Sequence, residues 1–143
     1  MIDLIVFSVG SNRYALSIDN IQRIIQAKDV TDIPNSHECI DGMMSHEDGV
    51  IKILNFRKLI GLEAHEEDGM DVDEYTQKFI IVEKEDLSFA VKVDNIEDIA
   101  HIQESDIMSS DNEHNENEFL ELEGVLDLDG VLINVIKTVN LPS

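Results

Sequence analysis

A chain of 143 residues is long enough for one domain, or for two very small lobes that share a core. Its 31 acidic residues outnumber 10 basic ones, for a formal charge of -21. This excess argues against binding to nucleic-acid phosphates or anionic membrane surfaces, where each contact needs a cation. Hydrophobic residues make up 43%, aromatics only 5%, and Trp is absent. The interior therefore has to be aliphatic, and its Ile, Val and Leu fall in short runs that favour strands over helices.

Leu4 to Val9 reads as a strand, Gly10 to Arg13 as a turn and Tyr14 to Ile18 as the hairpin partner. Asp19 or Asn20 can cap the next element. Ile21, Ile24 and Ile25 sit at helical spacing, which predicts a short amphipathic helical turn over Asp19 to Gln26. Lys28 to Ile33 then returns in extended form to Pro34, which cannot donate to a ladder and ends the element. Ile40 to Ser45 and Val50 to Asn55 are read as a second hairpin, with Gly42 and Gly49 bracketing its tip. Phe56 to Ile60 makes one helical turn closed by Gly61. Cys39, the only cysteine, excludes an intrachain disulfide and reads as a small buried hydrophobe in a reducing cytosol.

A shift of 75 residues reveals a second copy. Phe79 to Val82 falls on Leu4 to Phe7, and Phe89 to Ile96 falls on Tyr14 to Ile21 without a gap. Farther on, Leu122 to Leu126 echoes Ile40 to Met44, and Gly130 to Val135 echoes Gly49 to Leu54, with Gly124 on Gly42. The repeat units run approximately over 4–62 and 79–136, each reading as hairpin, helical turn, hairpin. Two acidic segments lie outside the repeat. The stretch 64–77 reads as the connection between halves, and 104–118, nearly free of apolar residues, as a long mobile loop. The fold expected is mostly β: two small five-stranded barrels related by the repeat, an architecture that removes exposed strand edges.

Chemistry-bearing patterns are sparse. From Asp111, oxygen side chains alternate through Glu113, Asn115 and Asn117, but Glu116 stands where a calcium loop needs Gly and Leu122 where it needs Glu. His37, His46, His65, His101 and His114 are scattered without ligand spacing. No phosphate loop or nucleophile elbow is present. An acid-base hydrolase would need a pocket carboxylate titrating well above its usual range. No metal or cofactor is expected. The amino-terminal residues carry no basic region, and no apolar run reaches membrane-spanning length, so neither a signal peptide nor a membrane span is expected.

The order of pieces from Ile33 to Leu62 resembles the CheW-like domain of bacterial chemotaxis coupling proteins. Gly42 matches that family's first glycine, Met43 and Met44 its apolar pair, Val50 to Leu54 its strand, Phe56-Arg57 its Leu-Arg, and Gly61 its closing glycine. Ser45-His46-Glu47-Asp48 replaces the family's Asn-Leu-Arg-Gly, Lys52 its strand proline and Asn55 its acidic residue.

The resemblance implies two SH3-like barrels and a non-catalytic cytoplasmic scaffold. Its implied partners are the regulatory domain of a CheA-type histidine kinase, met by barrel-to-barrel packing of strand ends, and the cytoplasmic tip of a chemoreceptor, held in a groove between barrels. It places Arg23, Ser45, His46, Glu47 and Asp48 at that groove, with Gly42, Gly49, Gly61, Gly124 and Gly130 as structural glycines. Arg23 stands where the family has Glu, and Glu47 where it has Arg, so a charge-reversed ion pair between them is expected. The alternative is a CheW-like scaffold that has lost the usual receptor contact and serves another signalling partner.

Overall fold

The computed structural model describes residues 2–28, 30–34, 37–47, 49–61, 77–84, 87–108 and 119–141. The described residues form ten strands: β1 (Ile2–Val9), β2 (Asn12–Ser17), β3 (Ile21–Gln26), β4 (Ile40–His46), β5 (Gly49–Asn55), β6 (Lys78–Lys84), β7 (Leu87–Val93), β8 (Asn95–Ile102), β9 (Leu120–Leu128) and β10 (Val131–Val139). One helical turn, α1 (Phe56–Leu59), comes after β5. The strands make two five-stranded sheets, ordered β8-β1-β2-β10-β9 and β3-β6-β7-β5-β4. The fold is mostly β, in two SH3-like lobes, as the resemblance implied.

The sheets do not coincide with the two halves of the sequence. Each draws strands from both repeats, because β3 crosses to pair with β6 and β8 crosses back to pair with β1. The exchange is reciprocal to the residue. Ile5 pairs with Ile99, and Ile80 with Ile24, their partners under the shift of 75. Both crossover pairings carry a bulge at the same place, between Val6 and Phe7 in one and Ile21 and Arg23 in the other.

This exchange corrects the expected helical turn. Only Ile18–Asn20 coils, as a 3-10 turn entered at Ser17, whose hydroxyl accepts the Asp19 N–H at 3.2 Å. From Ile21 the chain is a strand. Ile21 and Ile24 pack on one apolar cluster and Ile25 on another. A strand with apolar contacts on both faces breaks the period of two and mimics helical spacing. The matching residues of the second repeat, within Asn95–Ile102, are likewise a strand.

Strands β1, β2, β6 and β7 are buried on both sides. Leu4 and Val6 face a cluster inside the first sheet, whereas Phe7 and Val9 face a cluster shared by the two sheets. In β6, Phe79 and Ile81 face the interior of the second sheet, while Ile80 and Val82 join the shared cluster. The shared cluster also holds the buried Cys39 and an aromatic trio. Phe56, carried on α1, meets Phe7 and Tyr14 edge-on with centroids 5.3 and 4.9 Å away. Burial pushes the Tyr14 phenol above its ordinary pKa.

Each lobe is closed by a bridge from the segment that comes after its crossover strand. Thr31 and Met43 exchange both backbone hydrogen bonds, at 2.9 and 2.8 Å, and Met108 and Val125 do the same at 2.8 Å each. Gly42 and Gly124 make these closures possible. A Cβ on Gly42 would collide with the Thr31 carbonyl, and one on Gly124 with the Met108 carbonyl. Met108 belongs to the stretch expected to be a mobile loop, so its first residues need correction. Glu104–Asp106 form a 3-10 turn, Ile107 packs on the first sheet's cluster, and Met108 bridges to β9. Positions 109–118 and the expected connection, save Gln77, lie outside the described residues.

Gly61 and Gly130 hold left-handed backbone, with φ of 81° and 88°. Gly49 does not, and a Cβ there meets nothing within 4 Å. The hairpin registers also shift the repeat alignment by one residue in its last part. His46 pairs with Gly49 and Leu128 with Val131, so the tips are positions 47–48 and 129–130. Gly130 is thus the counterpart of Asp48 rather than of Gly49. A slip of one residue in a strand exchanges its two faces, so the register matters for any comparison of surfaces.

The closing seams generate the first prediction. Gly42→Ala and Gly124→Ala should each lower stability by about 1 to 3 kcal/mol, because backbone rather than a flexible side chain has to move. Gly49→Ala should stay within about 0.5 kcal/mol. Denaturant midpoints for the three variants check this.

Candidate functional site

Of the five residues expected at a partner-binding groove, the four that are described lie on one lobe. Arg23 is on β3, Ser45 and His46 end β4, and Glu47 is the first residue of the hairpin tip, in a left-handed conformation with φ of 55°. Asp48 lies outside the described residues. Ser45, Glu47 and Arg23 are exposed, while His46 is half-buried.

The expected Arg23–Glu47 ion pair does not form. Arg23 has no ion-pair partner among the described residues, and the acid nearest His46 is Glu47, with Oε1 3.8 Å from Nε2. The side chain that joins β3 to the hairpin is the neighbour of Arg23. His46 Nε2 donates to Gln22 Oε1 at 2.8 Å, and Gln22 Nε2 donates to Glu83 Oε2 at 2.7 Å. Gln22 is the extra residue of the β3 bulge, and its side chain, not that of Arg23, reaches the hairpin. The exchange of family charges conserves no ion pair.

Glu83 leads from that chain of bonds to a recess between the lobes. Leu16, Asn20, Val82, Glu83, Lys137, Thr138 and Val139 line it, enclosing about 110 Å³. Leu16 and the residues from Lys137 to Val139 come from the first sheet, Val82 and Glu83 from the second. None of the four described among the expected residues lines this recess. His46 reaches its rim only through Gln22.

Two part-buried ion clusters fix the surroundings. Arg57, on α1, places Nε 3.1 Å from both carboxylate oxygens of Asp94, and the two side chains are only 11% and 16% exposed. Asp94 sits where β7 leaves the second sheet for β8 of the first, and its Oδ2 also accepts the N–H of Gly10 in the β1–β2 turn at 2.7 Å. One carboxylate thus ties together α1, the crossover and a hairpin of the other lobe. The second cluster centres on Asp41, which accepts from Asn55 Nδ2 and pairs with Lys58 Nζ at 3.4 Å and Lys92 Nζ at 3.3 Å.

Sequence reasoning missed both clusters and Gln22. Asp94 carried a signal, since it repeats Asp19 under the shift of 75. Gln22 and Asp41 carried none, because their partners are far off in the chain.

No group of three or more His, Cys, Asp or Glu side chains able to hold a metal ion exists among the described residues, and none of their helices is long and apolar enough to cross a membrane. The described residues present two lobes with a recess between them and a polar hairpin linked to it through Gln22 and Glu83.

Comparison with known proteins agrees with this form. The family model described as CheW-like domain matches residues 3–141. Chemotaxis protein CheW of Treponema pallidum is 29% identical over 107 residues, covering 74% of this chain and 61% of that protein. Chemotaxis protein CheW of Thermotoga maritima is 25% identical over 106 residues, covering 73% and 65%. The matches thus span less than two thirds of both relatives. The crystal structure of scaffolding protein TtCheW from Thermoanaerobacter tengcongensis superposes with a TM-score of 0.80 at 23% identity, covering 95% of this chain and 84% of that one.

The polar contacts carry two expected outcomes. Arg57→Ala should cost about 1 to 3 kcal/mol, since it leaves the half-buried Asp94 carboxylate without its cation, whereas Lys137→Ala, which removes an exposed 3.9 Å pair with Glu121, should cost less than about 1. In a double-mutant cycle on stability, Arg23→Ala and Glu47→Ala should add within about 0.5 kcal/mol, as residues without a shared contact do.

Proposed function

Because the chain belongs to the CheW-like domain family, we propose that it is a non-catalytic chemotaxis scaffold, coupling a CheA-type histidine kinase to a chemoreceptor by protein–protein docking in the cytoplasm. The observation that carries this reading is the family match over 139 consecutive positions, 3–141, joined to a fold shared with a protein titled a scaffold. A scaffold needs two contact surfaces in a fixed mutual orientation and no reactive group. The lobes share one apolar cluster and are clasped by Arg57 and Asp94, which supports the first requirement.

The kinase regulatory domain would pack against the strand ends of one lobe, barrel on barrel. The receptor tip would lay a helix along the recess, its apolar flank on Leu16, Val82 and Val139 and its polar edges toward Glu83 and Lys137. Arg23, Ser45, His46, Glu47 and Asp48 would contact a partner at the approach to that recess, with Gln22 holding the hairpin in place. Arg23 and Glu47 invert the charges the family shows there, so the receptor segment should carry altered polarity at those points. A scaffold that has lost its receptor contact gains no support from the relatives, which are all named chemotaxis protein CheW.

Calorimetric titration with a purified kinase regulatory domain, and separately with a receptor-tip coiled coil, tests the proposal. Saturable binding is expected in both titrations, with the negative heat-capacity change of apolar burial. Glu47→Arg should weaken the receptor titration and leave the kinase titration unchanged. Absence of binding in both would overturn the reading.

A further inference from the structure

The internal repeat lets the outer faces of the two lobes be compared position by position. The hairpins β4–β5 and β9–β10 share one register, in which Ser45 opposite Val50 corresponds to Asp127 opposite Leu132. Val50 and Leu132 are each 62% exposed, the most exposed large aliphatic side chains among the described residues. Side chains directly opposite on an antiparallel pair share a face. Both lobes therefore present an aliphatic side chain at an equivalent point, one beside a neutral hydroxyl and the other beside a carboxylate.

The difference extends beyond that pair. Asp41 and Glu123 occupy the same bulge in their hairpins. Asp41 is neutralised by Lys58 and Lys92, while Glu123 and Asp127 have no ion-pair partner among the described residues. Asp127 Oδ1 does accept the Gly130 N–H at 2.9 Å, which holds the carboxylate at the hairpin tip. Lys52, exposed on the outer face of β5, has the uncharged Asn134 as its counterpart. Of the 10 basic residues, only Arg13 and Lys137 lie outside the span from Arg23 to Lys92. That span holds the strands of the second sheet. Within the first sheet Asp3, Glu97 and Glu121 have His101, Arg13 and Lys137 as ion-pair partners, while Asp98, Glu123 and Asp127 have none among the described residues.

From these differences we infer that the outer face of the β9–β10 hairpin, with Leu132 as its apolar contact, Asp127 directly opposite it and Glu123 farther along β9, docks a protein partner that presents Lys or Arg around an apolar socket. The equivalent face of β4–β5 is not the site for that partner. An exposed aliphatic side chain opposite a carboxylate without a cation gains from a partner that buries the one and neutralises the other. A second copy of this face is excluded as the occupant, since it would set carboxylate against carboxylate. The inference rests on the scaffold reading for its first partner, the kinase regulatory domain, and on the surface alone for its chemistry.

Two probes separate these. Binding of the purified kinase regulatory domain is measured at low and moderate salt for the full chain and for Leu132→Ala, Asp127→Asn, Glu123→Gln and Lys52→Gln. Asn at 127 keeps the acceptor for Gly130. The three variants on the β9–β10 face should weaken binding about fivefold each at low salt, the upper range for one exposed charge contact. The two charge variants should flatten the salt dependence, and Lys52→Gln should leave affinity unchanged. In parallel, a dye-labelled amphipathic Leu-Lys peptide is titrated against the same proteins.

If the kinase domain binds and only Lys52→Gln weakens it, or no variant does, the inference is overturned and the scaffold reading stands. If the kinase domain fails to bind while the peptide binds in a manner that depends on Asp127 and Leu132, the scaffold reading fails and the inference stands. If neither binds, or the peptide binds regardless of the variants while the kinase domain does not, both are overturned.

Discussion

The structure depends on one constraint: neither repeat can complete a sheet from its own strands. Each repeat supplies a central hairpin, β1–β2 or β6–β7, and exports its next strand to the edge of the other's hairpin. The exported strand is paired along its length, by Ile21 to Gln26 against β6 and by Asn95 to Ile102 against β1. As a result the four central strands have two apolar faces, one turned into their own lobe and one toward the shared cluster. Separating the lobes would expose that cluster, and separating the repeats would also break the β3–β6, β8–β1, β5–β7 and β10–β2 ladders. Interdependence of this kind gives a small aliphatic chain a core larger than either half could enclose.

Closure of each lobe stems from the same exchange. After its crossing strand the chain stays with the lobe it has entered and returns along the free edge of the hairpin that completes it, β4 or β9, bridging to it at Thr31 and Met108. The return runs so close to the hairpin backbone that only glycine fits at 42 and 124. The first glycine of the family pattern is therefore explained by a carbonyl that passes over it, rather than by turn chemistry. The polar tip and its neighbouring aliphatic side chain stand where they do because this seam pins the base of the hairpin.

Much of this was legible in the chain. β-branched runs marked the strands, the shift of 75 residues marked the repeat, and an apolar turn ending in Gly61 marked α1. The parts that could not be read have physical reasons. A pattern of apolar residues at 21, 24 and 25 is shared by an amphipathic helix and by a strand buried on both faces, and the choice was made by a partner strand far along the chain. Strand order across the repeats is likewise set by long-range pairing that leaves no local trace. At the candidate site, the hairpin and its exposed tip were visible, but the expected ion pair fell one residue from the truth. Gln22 holds His46, and Arg23 beside it has no acid to meet among the described residues.

A symmetric framework carrying unequal surfaces suits the proposed scaffold, which would hold different partners in one arrangement. The repeat ensures that the two hairpin faces have the same shape and orientation relative to their lobes, so differences in binding have to come from side chains. Those differences are concentrated in charge. Asp41 is absorbed into an internal cluster with Lys58 and Lys92, whereas Glu123, in the same bulge, meets no cation among the described residues, and α1 with its Arg57 clasp belongs to the first repeat. Because Arg57 reaches Asp94, and Asp94 holds Gly10, the element that breaks the symmetry is also the one that ties the lobes together. The asymmetry is thus not superficial. It fixes the angle at which two chemically distinct faces are offered, which is what the proposed scaffold would require of its fold.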